Sequence, residues 1–204
     1  MHETQIIKAG KSNAGKALIL LHGRGASAHD ILSLTSNLNT DDFAFYAPQA
    51  TNNSWYPQSF LAKPEANEPW LSSALAVVGE VVAEVVKDGI SKENIYFLGF
   101  SQGACLSAEF IARNATKYGG AVIFTGGLIG DQIYNEHYSG NFEGTPIFIG
   151  TSNPDFHVPV ERVYATTNIL KELGADVTEK VYNNMGHTIN QDEIDLVNKL
   201  IFKS

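Results

Sequence analysis

Ser101 stands at the centre of Gly99-Phe100-Ser101-Gln102-Gly103, directly after the apolar run Ile95-Tyr96-Phe97-Leu98 and before the small-residue stretch Ala104 to Ala108. A strand that breaks into Gly-x-Ser-x-Gly and re-forms as a helix forces the serine into a strained backbone angle, with glycines sparing the turn its clashes. The hydroxyl then projects above the strand, where a base and a substrate carbonyl can both reach it. The chemistry this suits is nucleophilic attack on an acyl carbon, and a serine hydroxyl needs an adjacent base for it. Chance alone puts this five-residue pattern in roughly one protein in ten of this length and glycine content. The partners therefore decide its meaning.

Two residues are placed to be those partners. His187, in Asn184-Met185-Gly186-His187-Thr188, follows one predicted strand, and Asp155 follows another, Ile147-Phe148-Ile149. Functional groups gather at the carboxyl ends of strands in an open parallel sheet. Ser101, Asp155, His187 is also the chain order in which a serine, an acid and a histidine occur in such a sheet. Asp131 and Asp176 are worse placed as the acid. Each residue has an ordinary alternative: a serine in a surface turn, a loop histidine, a turn-forming aspartate after Pro154. Backbone donors for a developing oxyanion are expected from the amide of Gln102, at a helix start, and from Arg24 in Leu20-Leu21-His22-Gly23-Arg24-Gly25, with Gly23 the rival. His22 is expected to bond loop backbone and His157 to lie near the cleft without a chemical role. His2, His29 and His137 are expected to be solvated, and Cys105 to pack within its helix. No His, Cys or carboxylate pair shows metal-ligand spacing, and this chemistry requires no cofactor.

The elements that must hold these residues are legible as alternating strands and helices, the pattern of an α/β fold with a mostly parallel sheet. Continuously apolar runs at 17–21, 43–47, 95–98, 121–124 and 147–149 read as strands buried on both faces. Residues 176–182 alternate as an edge strand should, and 5–7 adds one more. Helices are expected from Trp70 to Val86, with Asn67-Glu68-Pro69 as cap, first-turn acid and first-turn proline, from Val160 to Leu173 closed by Gly174, and from Gln191 to Phe202. The 204 residues read as one domain; 44% hydrophobic and 18% charged residues describe an ordinary globular chain. The net charge of −8 argues against nucleic acid. No apolar stretch reaches the ~20 residues of a membrane helix. The N-terminus lacks a signal-peptide pattern, and a single cysteine suits a reducing compartment, so a cytoplasmic location is expected.

Taken together, Leu21-His22-Gly23-x-Gly25, Trp55-Tyr56, Gly99-Phe100-Ser101-Gln102-Gly103-Ala104, Asp155-x-x-Val158-Pro159 and Gly186-His187 resemble the phospholipase/carboxylesterase family of α/β-hydrolases, which includes acyl-protein thioesterases. The resemblance spans residue 17 to the last helix. It implies an α/β-hydrolase fold with helices on both faces of an eight-stranded sheet and no large lid. It implies Ser101, Asp155 and His187 as a triad, with the Arg24 and Gln102 amides as oxyanion hole. The substrate it implies is a small or medium carboxylic ester or a thioester. The chain departs from the thioesterases at Arg24, where they carry an aliphatic residue; a guanidinium at the cleft mouth suits an anionic or polar substrate group, unless it is only a solvated or salt-bridged loop arginine. Gly23, Trp55, Tyr56 and Phe156 are expected to line the substrate pocket, with Phe60 and Leu128 as further candidates. Apolar surface on the cleft rim could support a homodimer. A peptidase or amidase of the same fold, or a binding protein without turnover, are the competing readings. The short chain, with no propeller domain, and the presence of all three site residues argue against them.

Overall fold

The computed structural model describes residues 1–203. Strands β1 (Ile6–Gly10), β2 (Lys16–Leu21), β3 (Phe43–Pro48), β4 (Ile95–Phe100), β5 (Gly120–Phe124), β6 (Pro146–Asn153) and β7 (Asp176–Asn183) form one sheet. Its order is β1-β3-β2-β4-β5-β6-β7. Strand β1 pairs antiparallel with β3, and every other pairing is parallel. The helices are α1 (Ala28–Leu32), α2 (Trp70–Lys87), α3 (Gln102–Arg113), α4 (Val160–Glu172) and α5 (Gln191–Leu200). The described residues thus hold seven strands rather than eight. β7 sits at the sheet edge with the alternating exposure that its sequence predicts.

Why the central strands are apolar throughout follows from where their side chains go. Ala17, Ile19 and Leu21 of β2 pack toward α2, α3 and α4, in one core with Phe97, Ile123 and Ile149. Leu18 and Leu20 face the opposite way, into a second core with Leu98, Val122, Phe124 and Phe148 under α1 and α5. Helices on both faces leave neither face of the central sheet for polar residues. Helix α2 overrides the β preference of its valines because their spacing makes one stripe: Val77, Val78, Val81, Val82 and Val85 are buried and Val86 is not. Each buried valine of that stripe contributes about 2 kcal/mol.

The start of α2 differs from the sequence expectation. Pro69 precedes the first turn without a side-chain cap. Asn67 is buried in a 3-10 turn, where its side chain accepts the Gln58 N–H and donates to the Ser59 carbonyl. Glu68 does serve the first turn, accepting from the N–H and hydroxyl of Ser72. At the carboxyl ends of the strands, residues 49–69 and 125–145 contain only short 3-10 turns, so among the described residues no large lid covers them.

Candidate active site

The site begins where β4 passes into α3. Ser101 has φ 54° and ψ −118°, a region that strains any residue with a Cβ. The reason glycine flanks it is steric: a Cβ at Gly99 would meet the Gly103 backbone, and one at Gly103 would meet the Leu21 and His22 carbonyls. Helix α3 can therefore lie directly against β2 and β4, and nearly all of it is buried. Ser101 is anchored through its N–H to Phe124 O at 3.0 Å.

The chain turns at the ends of β6 and β7 bring the other two residues to this point. The Ser101 hydroxyl lies 2.8 Å from His187 Nε2, and His187 Nδ1 lies 2.8 Å from Asp155 Oδ2. That series fixes one useful tautomer: Nδ1–H donates to the carboxylate while Nε2 accepts the serine proton. Burial works to raise the Asp155 pKa, but the His157 N–H, His187 and the Val158 N–H together hold it below the ordinary carboxylate range. The carboxylate is inaccessible to solvent, whereas the His187 side chain is 25% exposed and open to a substrate. Residues 86 and 32 positions apart in sequence thus meet in one hydrogen-bonded line.

The loop bearing His187 is tied to α5. Asn190 accepts the Glu193 N–H, and the Glu193 carboxylate accepts the Asn190 N–H, a reciprocal cap. The Asn190 amide also reaches back to Met185 Sδ. Glu193 is fully buried, with Oε1 unpartnered against Gly150, and burial pushes its pKa up to about 7.

Two backbone amides near Ser101 are free to donate. Gln102 opens α3, where the first-turn N–H has no intrahelical acceptor and the helix dipole favours negative charge. Neither it nor the Arg24 N–H has a protein acceptor among the described residues. Gly23 is buried against the elbow, 3.6 Å from Ser101 Cβ at the position a side chain would occupy, so it spaces the two loops and does not line the cavity. Its carbonyl takes hydrogen bonds from His22 Nδ1 and from the Ala26 N–H. His22 bonds loop backbone as expected, since Nε2 accepts the Ala50 N–H; burial lowers its pKa and keeps the ring neutral.

A cavity of about 580 Å³ opens beside Ser101 and His187, within the size range of small-molecule sites. Its walls include Tyr56, Phe60, Cys105 and Val158. Three sequence expectations need correction here. Trp55 is wholly buried and forms no wall: its ring N–H donates to His22 O and its backbone N–H to Gln102 Oε1. Phe156 is 98% exposed and is not part of the cavity lining. Leu128 is core. Tyr56 does line the cavity but is itself 1% exposed, and burial raises its pKa well above the ordinary phenol value. Burial likewise pushes the Cys105 thiol up to about 12, so it is uncharged.

Two histidines expected in solvent have partners instead. His2 lies half-buried, with Nε2 donating to Trp55 O, Nδ1 accepting the Thr51 N–H, and the ring against Trp55 and Trp70. His137 accepts from Arg113. His157 is at the cavity, its ring centroid 4.8 Å from that of His187.

The residues that sequence reasoning passed over are those that hold the cavity wall. Gln102, valued there only for its amide, grips both neighbours of the Trp55–Tyr56 link, accepting the Trp55 N–H and donating to Tyr56 O. The Arg24 guanidinium donates to Ser54 Oγ, Pro57 O and Gln58 O, binding the same loop. The one available signal for Gln102 was an amide side chain at a helix start otherwise built of small residues. Among the described residues no cluster of His, Cys, Asp or Glu could hold a metal ion, and no helix is long and apolar enough to cross a membrane.

Comparison with known proteins bears on the family and the fold. The phospholipase/carboxylesterase family model matches residues 2–204. The chain belongs to that family. A crystal structure of a phospholipase/carboxylesterase from Dyadobacter fermentans is 55% identical, covers 99% of this chain and 98% of its own, and superposes with a TM-score of 0.98. Acyl-protein thioesterase 1 of Candida albicans is 29% identical over 96% of this chain and 94% of its own length. A Bacillus cereus carboxylesterase structure, 20% identical with a TM-score of 0.79 over 96% of this chain and 92% of its own, shares the α/β-hydrolase fold. This member of the family is a hydrolase.

Proposed function

We propose that the protein is a serine carboxylesterase that cleaves small or medium carboxylic esters, thioesters included, through an acyl-Ser101 intermediate. His187 Nε2 takes the Ser101 proton as the oxygen attacks the ester carbonyl. The carbonyl oxygen gains charge opposite the Gln102 and Arg24 amides. Collapse of the tetrahedral intermediate breaks the bond to the alcohol or thiol, which leaves with the proton from His187. Water then gives its proton to the same histidine, attacks the acyl-serine, and releases the acid and free Ser101. Asp155 holds the imidazole in its tautomer and stabilises its charged form throughout.

The observation that carries this reading is the 2.8 Å Ser101–His187 and 2.8 Å His187–Asp155 series at the edge of a cavity large enough for such a substrate. The test is p-nitrophenyl butyrate hydrolysis by Ser101→Ala. The expected result is loss of nearly all turnover with an unchanged thermal transition. Retention of most of the activity would overturn the assignment.

A further inference from the structure

We infer, resting on the esterase reading, that the Arg24 side chain makes this a site for esters that carry a carboxylate close to the scissile bond. Arg24 is one of the residues lining the cavity, and its guanidinium bonds Pro57 and Gln58, which line it too. It is exposed yet held, and not salt-bridged: all three acceptors are neutral oxygens, Ser54 Oγ at 3.0 Å, Pro57 O at 3.0 Å and Gln58 O at 2.7 Å. These bonds fix the plane of the group while leaving its charge uncompensated. No carboxylate among the described residues lies within ion-pair distance of it.

The donor count points the same way. Nη1 uses both of its hydrogens and Nη2 one, which leaves the Nε–H and one Nη2–H unengaged. Two N–H groups of a planar fork match the two oxygens of a carboxylate. The rest of the lining adds no opposing charge, for no Asp or Glu takes part in it. Asp155 is near but turned behind His187, its carboxylate closed off from solvent. In a chain of net charge −8, with 22 acidic residues against 14 basic, the cavity is lined by a permanent cation and no anion. The backbone amide of the same residue faces the reacting carbonyl in the proposed mechanism, so side-chain selection and oxyanion binding are joined in one loop.

The experiment uses two matched substrate pairs. One places the charge on the acyl side: p-nitrophenyl hydrogen glutarate against p-nitrophenyl methyl glutarate. The other places it on the alcohol side: 4-acetoxybenzoate against methyl 4-acetoxybenzoate. In at least one pair the native enzyme is expected to favour the charged member in kcat/KM. Arg24→Gln should lower that charged-to-neutral ratio about tenfold or more, the scale of a hydrogen bond to a charged group. Arg24→Lys should keep part of it. Added sodium chloride should lower the ratio in the native enzyme, which tests the idea even where a variant does not fold. Ratios in both pairs that neither salt nor Arg24→Gln changes would overturn the inference and leave Arg24 a loop clasp. Absence of hydrolysis of all four esters by the native enzyme would instead strike the esterase reading itself.

Discussion

Glu193 is a buried carboxyl on the helix that follows the His187 loop, and removing its charge should stabilise the protein in a pH-dependent way. Burial raises its pKa from 4.5 to about 7, against the single opposing N–H of Asn190 and with Asp192 adding to the rise. The folded state therefore holds a proton that the unfolded chain has lost between those two values. The stability this group confers is fully present below pH 4.5 and is lost as pH rises through about 7. Above that, the buried charge costs up to about 3 kcal/mol, since each tenfold difference in proton affinity between the folded and unfolded chain is worth roughly 1.4 kcal/mol. Glu193→Gln keeps an oxygen for the Asn190 N–H and does not ionise. Its stability relative to the native protein should rise by about 2 kcal/mol between pH 5 and pH 8, since a smaller part of the effect is already present at pH 5. Urea unfolding at the two pH values measures this, and the relative midpoint should move by about 1 M. An equal native-to-variant difference at both pH values would refute the reasoning.

Two further substitutions probe the packing that positions the site. Gly150→Ala would place a methyl group on the Glu193 carboxylate and against Phe148. The expected loss is about 2 kcal/mol or more, read as a lowered thermal transition, and an unchanged transition would show that α5 can move away freely. Gln102→Ala leaves the α3 amide in place but orphans the Trp55 N–H and leaves Tyr56 O only the Ser54 hydroxyl as donor. It should cost about 2 kcal/mol of stability and raise KM for a small ester more than it lowers kcat, checked by steady-state kinetics beside urea unfolding.

Much of this arrangement is legible in the sequence because the physics involved is local. A strand buried on both faces has to be apolar at every position, and 95–98 and 147–149 announce themselves that way. The helical spacing of the α2 valines outweighs their β preference. Gly99 and Gly103 are required by contacts within a few residues and with one neighbouring strand, and Gly174 ends α4 with φ +83° as its sequence position suggests.

What is not legible depends on contacts between distant segments. Trp55 and Phe156 are both aromatic residues in loops, and nothing in their neighbours says that one packs wholly inward and the other outward. His2 binds Trp55 O across 53 positions. The Arg24 charge looks the same in sequence whether it meets water, an acid or three neutral oxygens. Asn67 reads as a helix cap because caps are asparagine-rich, yet here the same amide satisfies two backbone groups of the 58–59 loop. A sequence carries the residue type; the partner comes only with the fold.

The central claim is that Ser101 is a nucleophile because His187 withdraws its proton across 2.8 Å. Reaction of the native protein with a fluorophosphonate, followed by intact-mass measurement and peptide mapping, tests it directly. One phosphonyl group on Ser101, absent in Ser101→Ala and formed far more slowly in a folded His187→Ala, is the predicted result. Label on another residue, or undiminished labelling of Ser101 without His187, would contradict the account.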